Sequence, residues 1–176
     1  MITHIAFLRG INVGGHKKIP MAQLRASLSK AGLEHVQTYI QSGNVVFQSL
    51  EKDKTALQLK IYNVIAASFG FKVPVLVMTQ EELKHIFDSC PFSEKHKLTS
   101  YFMLLFETPE PHLVEDVSAI TYPNEVFKIT DACIYFYSTL GYGRAKCNNA
   151  FFEKKLKITA TARNYKTMAN LVSHDF

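Results

Sequence analysis

The residues with the clearest chemical potential lie near the start of the chain, in a segment that reads LRGINVGGHKKIP at positions 8–20. It holds three glycines, the cations Arg9, Lys17 and Lys18, and no acid. An apolar run precedes it, and a helical pattern begins near Pro20. Glycine-rich backbone N–H groups and positive charge just before a helix N-terminus favour an anion. The segment therefore predicts a loop that binds phosphate or carboxylate.

The alternative interpretation of this segment is a long structural connection whose glycines make tight turns. The spacing is not that of a Walker A loop, because Gly15 is followed by His16 and then by Lys17 and Lys18. It is not the GxGxxG pattern of dinucleotide-binding proteins either. Loops of unusual length are often functional, so anion binding stays a hypothesis beside the structural one.

A second candidate segment reads QSGN at positions 41–44. The favoured interpretation is a hairpin turn in which Gly43 and Asn44 supply positive φ. The functional alternative is that the amides of Gln41 and Asn44 reach a ligand held by the first loop. We do not expect Ser42 to act as a nucleophile in either case, because no His–acid pair accompanies it in the sequence.

A third candidate segment reads GYGRAKCNN at positions 141–149 and again joins a strand to the start of a helix. An N-cap Asn148 with solvated Arg144 and Lys146 explains much of it. In the functional interpretation these two cations bind phosphate or carboxylate. Arg163 and Asn164, at another strand–helix junction, would join them. The candidate ligand-binding residues are Arg9, Gly10, Asn12, Gly14, Gly15, Lys17, Lys18, Gln41, Asn44, Arg144, Lys146, Asn148, Arg163 and Asn164.

Charge is distributed unevenly along a chain with 20 cations, 15 acids and a net charge of +5. Residues 1–33 hold no acid, residues 34–138 are acidic overall, and residues 139–176 are basic again. One interpretation is two solvated basic faces. The other is that both basic ends converge on one positive groove between two halves of the molecule.

The remaining composition narrows the class of protein. The seven histidines are scattered and the three cysteines show no CxxC spacing, so we expect no metal site, no cofactor and reduced thiols. No stretch is apolar enough to span a bilayer, and the N-terminus lacks the pattern of a secretory signal. These features predict a cytoplasmic protein that has no membrane partner.

An internal repeat organises the chain. Residues 73–79 and 158–164 align without gaps at an offset of 85, and both read as a strand, a polar cap and a helical pattern. Residues 39–47 and 128–136 align at an offset of 89, and both read as a hairpin. The two matches predict that the second half repeats the order of elements in the first.

Each half is predicted as βαββαβ with a trailing helix. The predicted strands and hairpins cover residues 3–8, 36–49, 73–78, 100–107, 125–138 and 159–162. The predicted helices cover residues 20–31, 55–69, 80–88, 111–120, 149–157 and 165–172. This order is ferredoxin-like, in the α+β class. The predicted units are residues 1–90 and 98–176, joined by a linker at 91–97.

Three motifs together resemble a bacterial family known as domain of unknown function 1697. They are LRGINVGGHKKIPMAQLR, TYIQSGNVVF and GRAKCNNAFFEKKL followed by TARNYKTMANL. The resemblance extends over essentially the whole chain and implies a tandem of two ferredoxin-like units, as the repeat does. It implies no activity, substrate or catalytic residue.

The sequence leaves three ligand-binding or catalytic functions open, beside a fourth possibility of a structural or protein-partner module whose acidic middle meets a basic patch in a dimer. The leading hypothesis is a protein that binds a small anionic ligand in the basic groove. The second is binding of RNA or single-stranded DNA without sequence specificity, in which Tyr135 and Tyr137 on one strand face would stack on bases. The third is a phosphoryl- or acyl-transfer enzyme in which the basic loops stabilise developing charge. Neither a catalytic residue nor an oligomeric state follows from the sequence.

Overall fold

A computed structural model gives the fold and describes residues 1–173. The chain divides into two compact units. The first unit contains residues 1–84 and the segment that begins at Leu171, and the second contains residues 85–170. The division therefore falls inside two helices, one near the middle of the chain and one near its end.

The first unit begins with a strand, a helix, a hairpin, a long helix and a fourth strand, and a third helix follows. Its elements are β1 (Ile2–Leu8), α1 (Met21–Lys30), β2 (Glu34–Tyr39), β3 (Asn44–Ser49), α2 (Lys54–Phe69), β4 (Val75–Thr79) and α3 (Gln80–Asp88). The sheet is antiparallel in the order β2-β3-β1-β4. Phe7 pairs with Asn44 on β3 and with Leu76 on β4, which places β1 in the centre.

Successive side chains of β1 point to opposite faces of the first sheet, and both faces are buried. Ala6 and Leu8 face α1 and α2, where they join Leu24, Leu28 and Ile61 in one buried cluster. Ile5 and Phe7 point to the opposite face of the sheet and are also fully buried. A strand buried on both faces reads as a continuous apolar run, which is what residues 5–8 show.

The second unit repeats this arrangement. Its elements are α4 (Glu94–Lys97), β5 (Tyr101–Leu105), α5 (Pro111–Ser118), β6 (Glu125–Ile129), β7 (Cys133–Ser138), α6 (Asn149–Leu156), β8 (Ala160–Asn164) and α7 (Tyr165–Val172). The sheet order is β6-β7-β5-β8, which is the order of the first sheet copied strand for strand. Met103, Ile134, Phe136 and Phe152 lie in its core.

The predicted tandem of ferredoxin-like units is confirmed. The offset of 85 carries β4 onto β8 and the start of α3 onto the start of α7, and the offset of 89 carries β3 onto β7. The predicted linker, however, contains a helical turn, α4, which the local sequence did not indicate. The last three residues of the predicted second unit, 174–176, lie outside the described residues.

Local signals set several helix boundaries as predicted. Thr79 and Glu82 form a reciprocal capping box at α3, because the Glu82 N–H donates to Thr79 Oγ1 and the Thr79 N–H donates to Glu82 Oε2. Gly70 ends α2 with φ of 77°. A left-handed residue at this position is the usual C-terminal stop of a helix.

Candidate functional site

The loop that follows β1 is a small protruding hairpin. Val13 and His16 form a bridge, and the His16 N–H donates to the Val13 carbonyl at 3.0 Å. Gly14 and Gly15, at its tip, have φ of 57° and 78°. Two consecutive residues with positive φ match a type I′ turn. These two glycines therefore make a tight turn, which is the structural role that the sequence left open for them.

Asn12 holds the base of this hairpin. Its Oδ1 accepts from the Ile19 N–H at 2.8 Å, and its Nδ2 donates to the carbonyls of Ile19 at 3.2 Å and Gln41 at 2.8 Å. The Asn12 N–H also donates to the Lys17 carbonyl. One side chain thus fixes the end of the loop and ties it to the turn between β2 and β3.

Gly43 brings this turn against the end of β1. The Leu8 N–H donates to the Gly43 carbonyl at 2.8 Å, and a Cβ placed on Gly43 would lie 2.7 Å from the Leu8 carbonyl oxygen. Gly43 also has φ of 80°. Glycine is required here both for its φ and for the close approach. The first two candidate segments of the sequence, which also meet through the Asn12–Gln41 hydrogen bond across 29 residues, are therefore neighbours.

A cavity of about 320 Å³ lies where the two segments meet, entirely within the first unit. Its lining residues are Asn12, Gly15, Lys18, Ile19, Pro20 and Gln41. Pro20 is the N-cap of α1 and has no side chain that can cap, and the first turn of α1 contains no acid. The positive end of the α1 dipole therefore lies beside the cavity, and no acidic side chain of the first turn of α1 neutralises it.

The surrounding segments are basic. The Arg9 N–H donates to the Pro74 carbonyl, and Lys17 Nζ donates to the Lys72 carbonyl at 2.9 Å, so residues 70–74 lie alongside the loop. Residues 9–20, 40–43 and 70–74 include Arg9, Lys17, Lys18 and Lys72 and contain no acid. Lys18 is exposed and lines the cavity. The local field of these segments favours an anion.

The two amides of the QSGN segment have different environments. Gln41 is exposed and lines the cavity. Asn44 is fully buried, and its Nδ2 donates to the Tyr39 carbonyl and to Ser42 Oγ. Asn44 therefore stabilises the hairpin and does not reach the cavity, whereas Gln41 does. The buried position of Asn44 follows from its pairing with Phe7 on the central strand.

In the second unit, the loop at residues 139–148 binds an internal anion, the carboxylate of Glu125 on β6. The Glu125 carboxylate accepts from the backbone N–H groups of Lys146 and Cys147, each at 2.8 Å. Lys146 Nζ lies 5.1 Å from the centre of the Tyr122 ring. The backbone N–H groups at the centre of this candidate segment are thus occupied by Glu125, whereas the sequence had pointed to the side chains of Arg144 and Lys146.

The polar residues around this loop also have internal roles. Asn148 Oδ1 accepts from the Phe151 N–H and caps α6. Arg144 is exposed at the end of a short 3-10 helix. Cys147 is buried, and burial together with the nearby Glu125 raises the pKa of its thiol to about 12. A thiol with so high a pKa is a poor nucleophile at neutral pH.

The last two predicted residues, Arg163 and Asn164, end β8. Arg163 is 7% exposed, and its Nη1 donates to Thr161 Oγ1 at 2.7 Å and to the Ala162 carbonyl at 2.8 Å. Burial lowers the pKa of its guanidinium to about 10. Arg163 is therefore an interior residue and does not line an open groove. Asn164 caps α7 through a bond from the Thr167 N–H.

The tyrosines expected to stack on nucleic acid bases are not both on an open face. Tyr135 is 3% exposed, and its O–H donates to the Ile86 carbonyl at 2.8 Å within the second unit. Phe102, its edge-on neighbour, is fully buried. Tyr137 is half-buried and packs on His96. The geometry of an RNA-recognition sheet, with paired exposed aromatics, is not found on this strand.

A larger cavity in the second unit was not predicted from the sequence. Its volume is about 670 Å³, and all of its lining residues belong to the second unit. Two of its walls are pairs of stacked rings, Tyr101 on Tyr142 and His96 on Tyr137. His96 lies in the segment interpreted as a linker, which is why sequence reasoning missed it.

Two further features concern metal binding and membrane spanning in the described residues 1–173. No group of three or more His, Cys, Asp or Glu side chains there is arranged to hold a metal ion. No helix in that part of the chain has the length and apolarity needed to cross a membrane.

Comparison with known proteins places the chain in a family. A family model described as "Protein of unknown function (DUF1697)" matches residues 1–135. The chain belongs to the DUF1697 family. The matched part contains the first-unit loop and the QSGN turn, and the segment at 141–149 lies beyond it. The resemblance seen in the sequence motifs is thereby confirmed.

A solved structure supports the fold of this DUF1697 protein. The structure of the conserved bacterial protein SP0830 from Streptococcus pneumoniae is 25% identical, covers 97% of each chain and superposes with a TM-score of 0.75. A search of the curated proteins finds no match to the chain.

Proposed function

We propose that this protein binds a small phosphate- or carboxylate-bearing ligand at the cavity of the first unit, between the Gly10–Lys18 loop and the QSGN turn. The observation that carries the proposal is the combination at one cavity of Lys18, the uncapped N-terminus of α1 and surrounding segments without an acid. Each feature favours an anion, and they act in the same direction.

The internal duplication supplies a comparison for the loop. The connection from the first strand to the first helix of the first unit spans residues 9–20, whereas the equivalent connection of the second unit spans only 106–110. The same fold is thus built with seven fewer residues at this position. The extra length of the first-unit loop is not needed for the fold, which favours a role in binding.

Asn12 gives this site the rigidity that binding requires. Three hydrogen bonds from its side chain fix the loop against Ile19 and Gln41 before any ligand arrives. A preorganised site loses less conformational entropy on binding than a mobile loop does. Gly10 and Lys17 belong to the same ordered loop, and Lys17 is held at the Lys72 carbonyl.

The test is calorimetric titration of the purified protein with inorganic phosphate, pyrophosphate and citrate. Lys18→Gln is expected to weaken the binding of the best of these by roughly tenfold, because a charge-assisted contact contributes about 1.5–3 kcal/mol. Lys60→Gln is the matched control, since Lys60 is an exposed lysine of α2 and the change in net charge is the same. Equal loss in the two variants, or no binding to the wild-type protein, would contradict the proposal.

We also propose that the protein acts in the cytoplasm. Cys90, Cys133 and Cys147 are all free thiols, which fits a reducing compartment. The expected result for a tagged protein in fractionated cells is recovery with the cytoplasmic markers. Recovery in a secreted or membrane fraction would overturn this.

A further inference from the structure

The large cavity of the second unit has the composition of a binding site for a ring-bearing anion. We propose that it binds a nucleoside monophosphate, with the base against the aromatic walls and the phosphate at Lys95 and Lys166. Its volume of about 670 Å³ lies in the range of small-molecule sites. This site is separate from the one proposed in the first unit and shares no residue with it.

The aromatic walls are already arranged for stacking. Tyr101 and Tyr142 are parallel within 19°, with ring centres 4.1 Å apart, and His96 lies on Tyr137 within 9° at 4.3 Å. Phe92 supports Tyr137 edge-on at 4.8 Å. Rings that are fixed by their neighbours lose little further side-chain freedom when a planar ligand packs against them.

The polar part of the wall favours a phosphate. The lining contains Lys95, His96 and Lys166 and no acid, and both lysines are exposed. The N-terminus of α7 is not available as the main anion contact, because the Tyr165 N–H donates to the Ser100 carbonyl and the Thr167 N–H donates to Asn164. The two lysines therefore supply the charge.

Two hydroxyls of the wall keep a proton that can be donated. Tyr142 Oη accepts from the Asn149 N–H at 3.1 Å, and Ser138 Oγ accepts from the Leu140 N–H at 3.2 Å. A hydroxyl that accepts from the backbone still has its own O–H to offer. A tyrosine O–H is ordinarily protonated at neutral pH, and burial raises the pKa of Tyr142 further. Phosphate and ribose oxygens are suitable acceptors.

The duplication again points to the loop. The connection between β7 and α6 covers residues 139–148, whereas β3 and α2 are joined by residues 50–53 only. The additional residues of the second unit include Thr139, Gly141 and Tyr142, which line this cavity. The second unit thus has its long loop at a different place from the first unit, and that loop borders its own cavity.

The experiment is calorimetric titration of the full chain with AMP, GMP, CMP and UMP, with adenosine and ribose 5-phosphate as the half-ligands. At least one mononucleotide is expected to bind about tenfold or more tightly than either half-ligand, because ring and phosphate each contribute. Ribose 5-phosphate binding as tightly as the mononucleotides would overturn the proposal. So would the absence of binding by every mononucleotide.

Two variants locate the binding. Lys166→Gln is expected to weaken mononucleotide binding roughly tenfold, and His96→Ala roughly fivefold. The matched controls are Lys128→Gln on β6 and His112→Ala on α5, both exposed and outside the lining. Lys18→Gln in the first unit is expected to leave mononucleotide binding unchanged. A loss with Lys18→Gln and none with Lys166→Gln would place the nucleotide at the first-unit cavity and contradict the inference.

Discussion

At the residue scale, Gly43 is the position where the backbone tolerates least change. A Cβ there would lie 2.7 Å from the Leu8 carbonyl oxygen and 2.8 Å from Leu8 Cβ, and the residue has φ of 80°. Gly70 has nearly the same φ, 77°, but nothing within 4 Å of its Cβ position. Replacing each glycine by alanine therefore separates two contributions to the loss of stability. Both variants require a left-handed backbone with a side chain, but only the Gly43 variant also places a Cβ against Leu8.

We expect Gly43→Ala to destabilise the protein by about 3 kcal/mol and Gly70→Ala by about 1 kcal/mol. Both variants incur the left-handed penalty of roughly 1 kcal/mol, and only Gly43→Ala adds overpacking against β1. Urea unfolding of both variants measures the difference in the free energy of unfolding. Equal losses would show that the close approach of Gly43 to Leu8 does not constrain the fold.

A second residue-scale prediction concerns pH. His4 is fully buried on β1, stacked on Phe47, and its Nδ1 lies 3.0 Å from the Ile2 carbonyl. Burial lowers the pKa of His4 below its ordinary 6.5. Between the two pKa values the unfolded chain holds the proton and the folded chain does not. The stability supplied by neutral His4 is therefore complete above about pH 6.5 and is lost as the pH falls.

The free energy of unfolding should decline from about pH 7.5 to about pH 5.5, and His4→Phe should flatten that decline. The exposed His112 is the control, and His112→Gln should leave the decline as it is. Chemical denaturation at several pH values measures it. A wild-type slope that His4→Phe does not change would assign the pH dependence to other groups.

At the element scale, several helix starts and one loop of this protein are capped by acceptor side chains of the chain itself. Asp53 caps α2, Asn148 caps α6, and Glu125 occupies the backbone donors of the 139–148 loop. Helix α1 begins at Pro20 with no side-chain cap. Helices α4 and α5 also lack a side-chain cap, and what distinguishes α1 is that its start lies beside the basic cavity.

Removing Glu125 should expose the donors that it occupies. Glu125→Ala is expected to lower the free energy of unfolding by roughly 1–3 kcal/mol, because the Lys146 and Cys147 N–H groups lose their acceptor. Added phosphate should then stabilise Glu125→Ala more than it stabilises the wild-type protein. Glu115→Ala, on the exposed face of α5, is the control. Thermal unfolding with and without phosphate measures both effects, and equal phosphate stabilisation would argue against a vacated anion site.

The capping box of α3 offers a prediction that separates two interactions of Glu82. Glu82 accepts from the Thr79 N–H and pairs with Lys54, and both side chains of the ion pair are more than 40% exposed. Glu82→Gln keeps the cap and is expected to cost less than about 0.5 kcal/mol, whereas Glu82→Ala loses both and is expected to cost about 1 kcal/mol. Urea unfolding distinguishes them. A loss with Gln as large as with Ala would make the ion pair the main contribution.

At the scale of the whole molecule, two copies of one fold carry different cavities. Both sheets have the same strand order, but the first unit is extended after β1 and the second after β7. Each extension borders its own cavity, one basic and one aromatic. The fold accommodates extra residues at connections, where no strand pairing is disturbed, and the two units diverged there.

The duplication and the element order could be predicted from the sequence, because apolar periodicity and caps such as Thr79 and Asn164 are local signals. The proximity of Asn12 to Gln41 was expected only as one alternative, since a contact over 29 residues depends on the sheet register. The burial of Arg163 and the occupation of the 139–148 loop by Glu125 were not predictable. Both depend on long-range packing: which side chains cover Arg163, and which strand brings Glu125 to the loop. Their residue types alone suggested contacts to a ligand.

The central claim is that the first-unit loop and the start of α1 form an anion site while the backbone donors of Lys146 and Cys147, occupied by Glu125, do not. Titration of the isotope-labelled protein with pyrophosphate, followed through backbone amide NMR shifts, tests it directly. The account predicts saturable shifts at the amides of Gly15, Lys18 and the first turn of α1, which need roughly tenfold more pyrophosphate in Lys18→Gln, with little change at Lys146 and Cys147. Largest shifts at Lys146 and Cys147, or no saturable shift near Lys18, would contradict it.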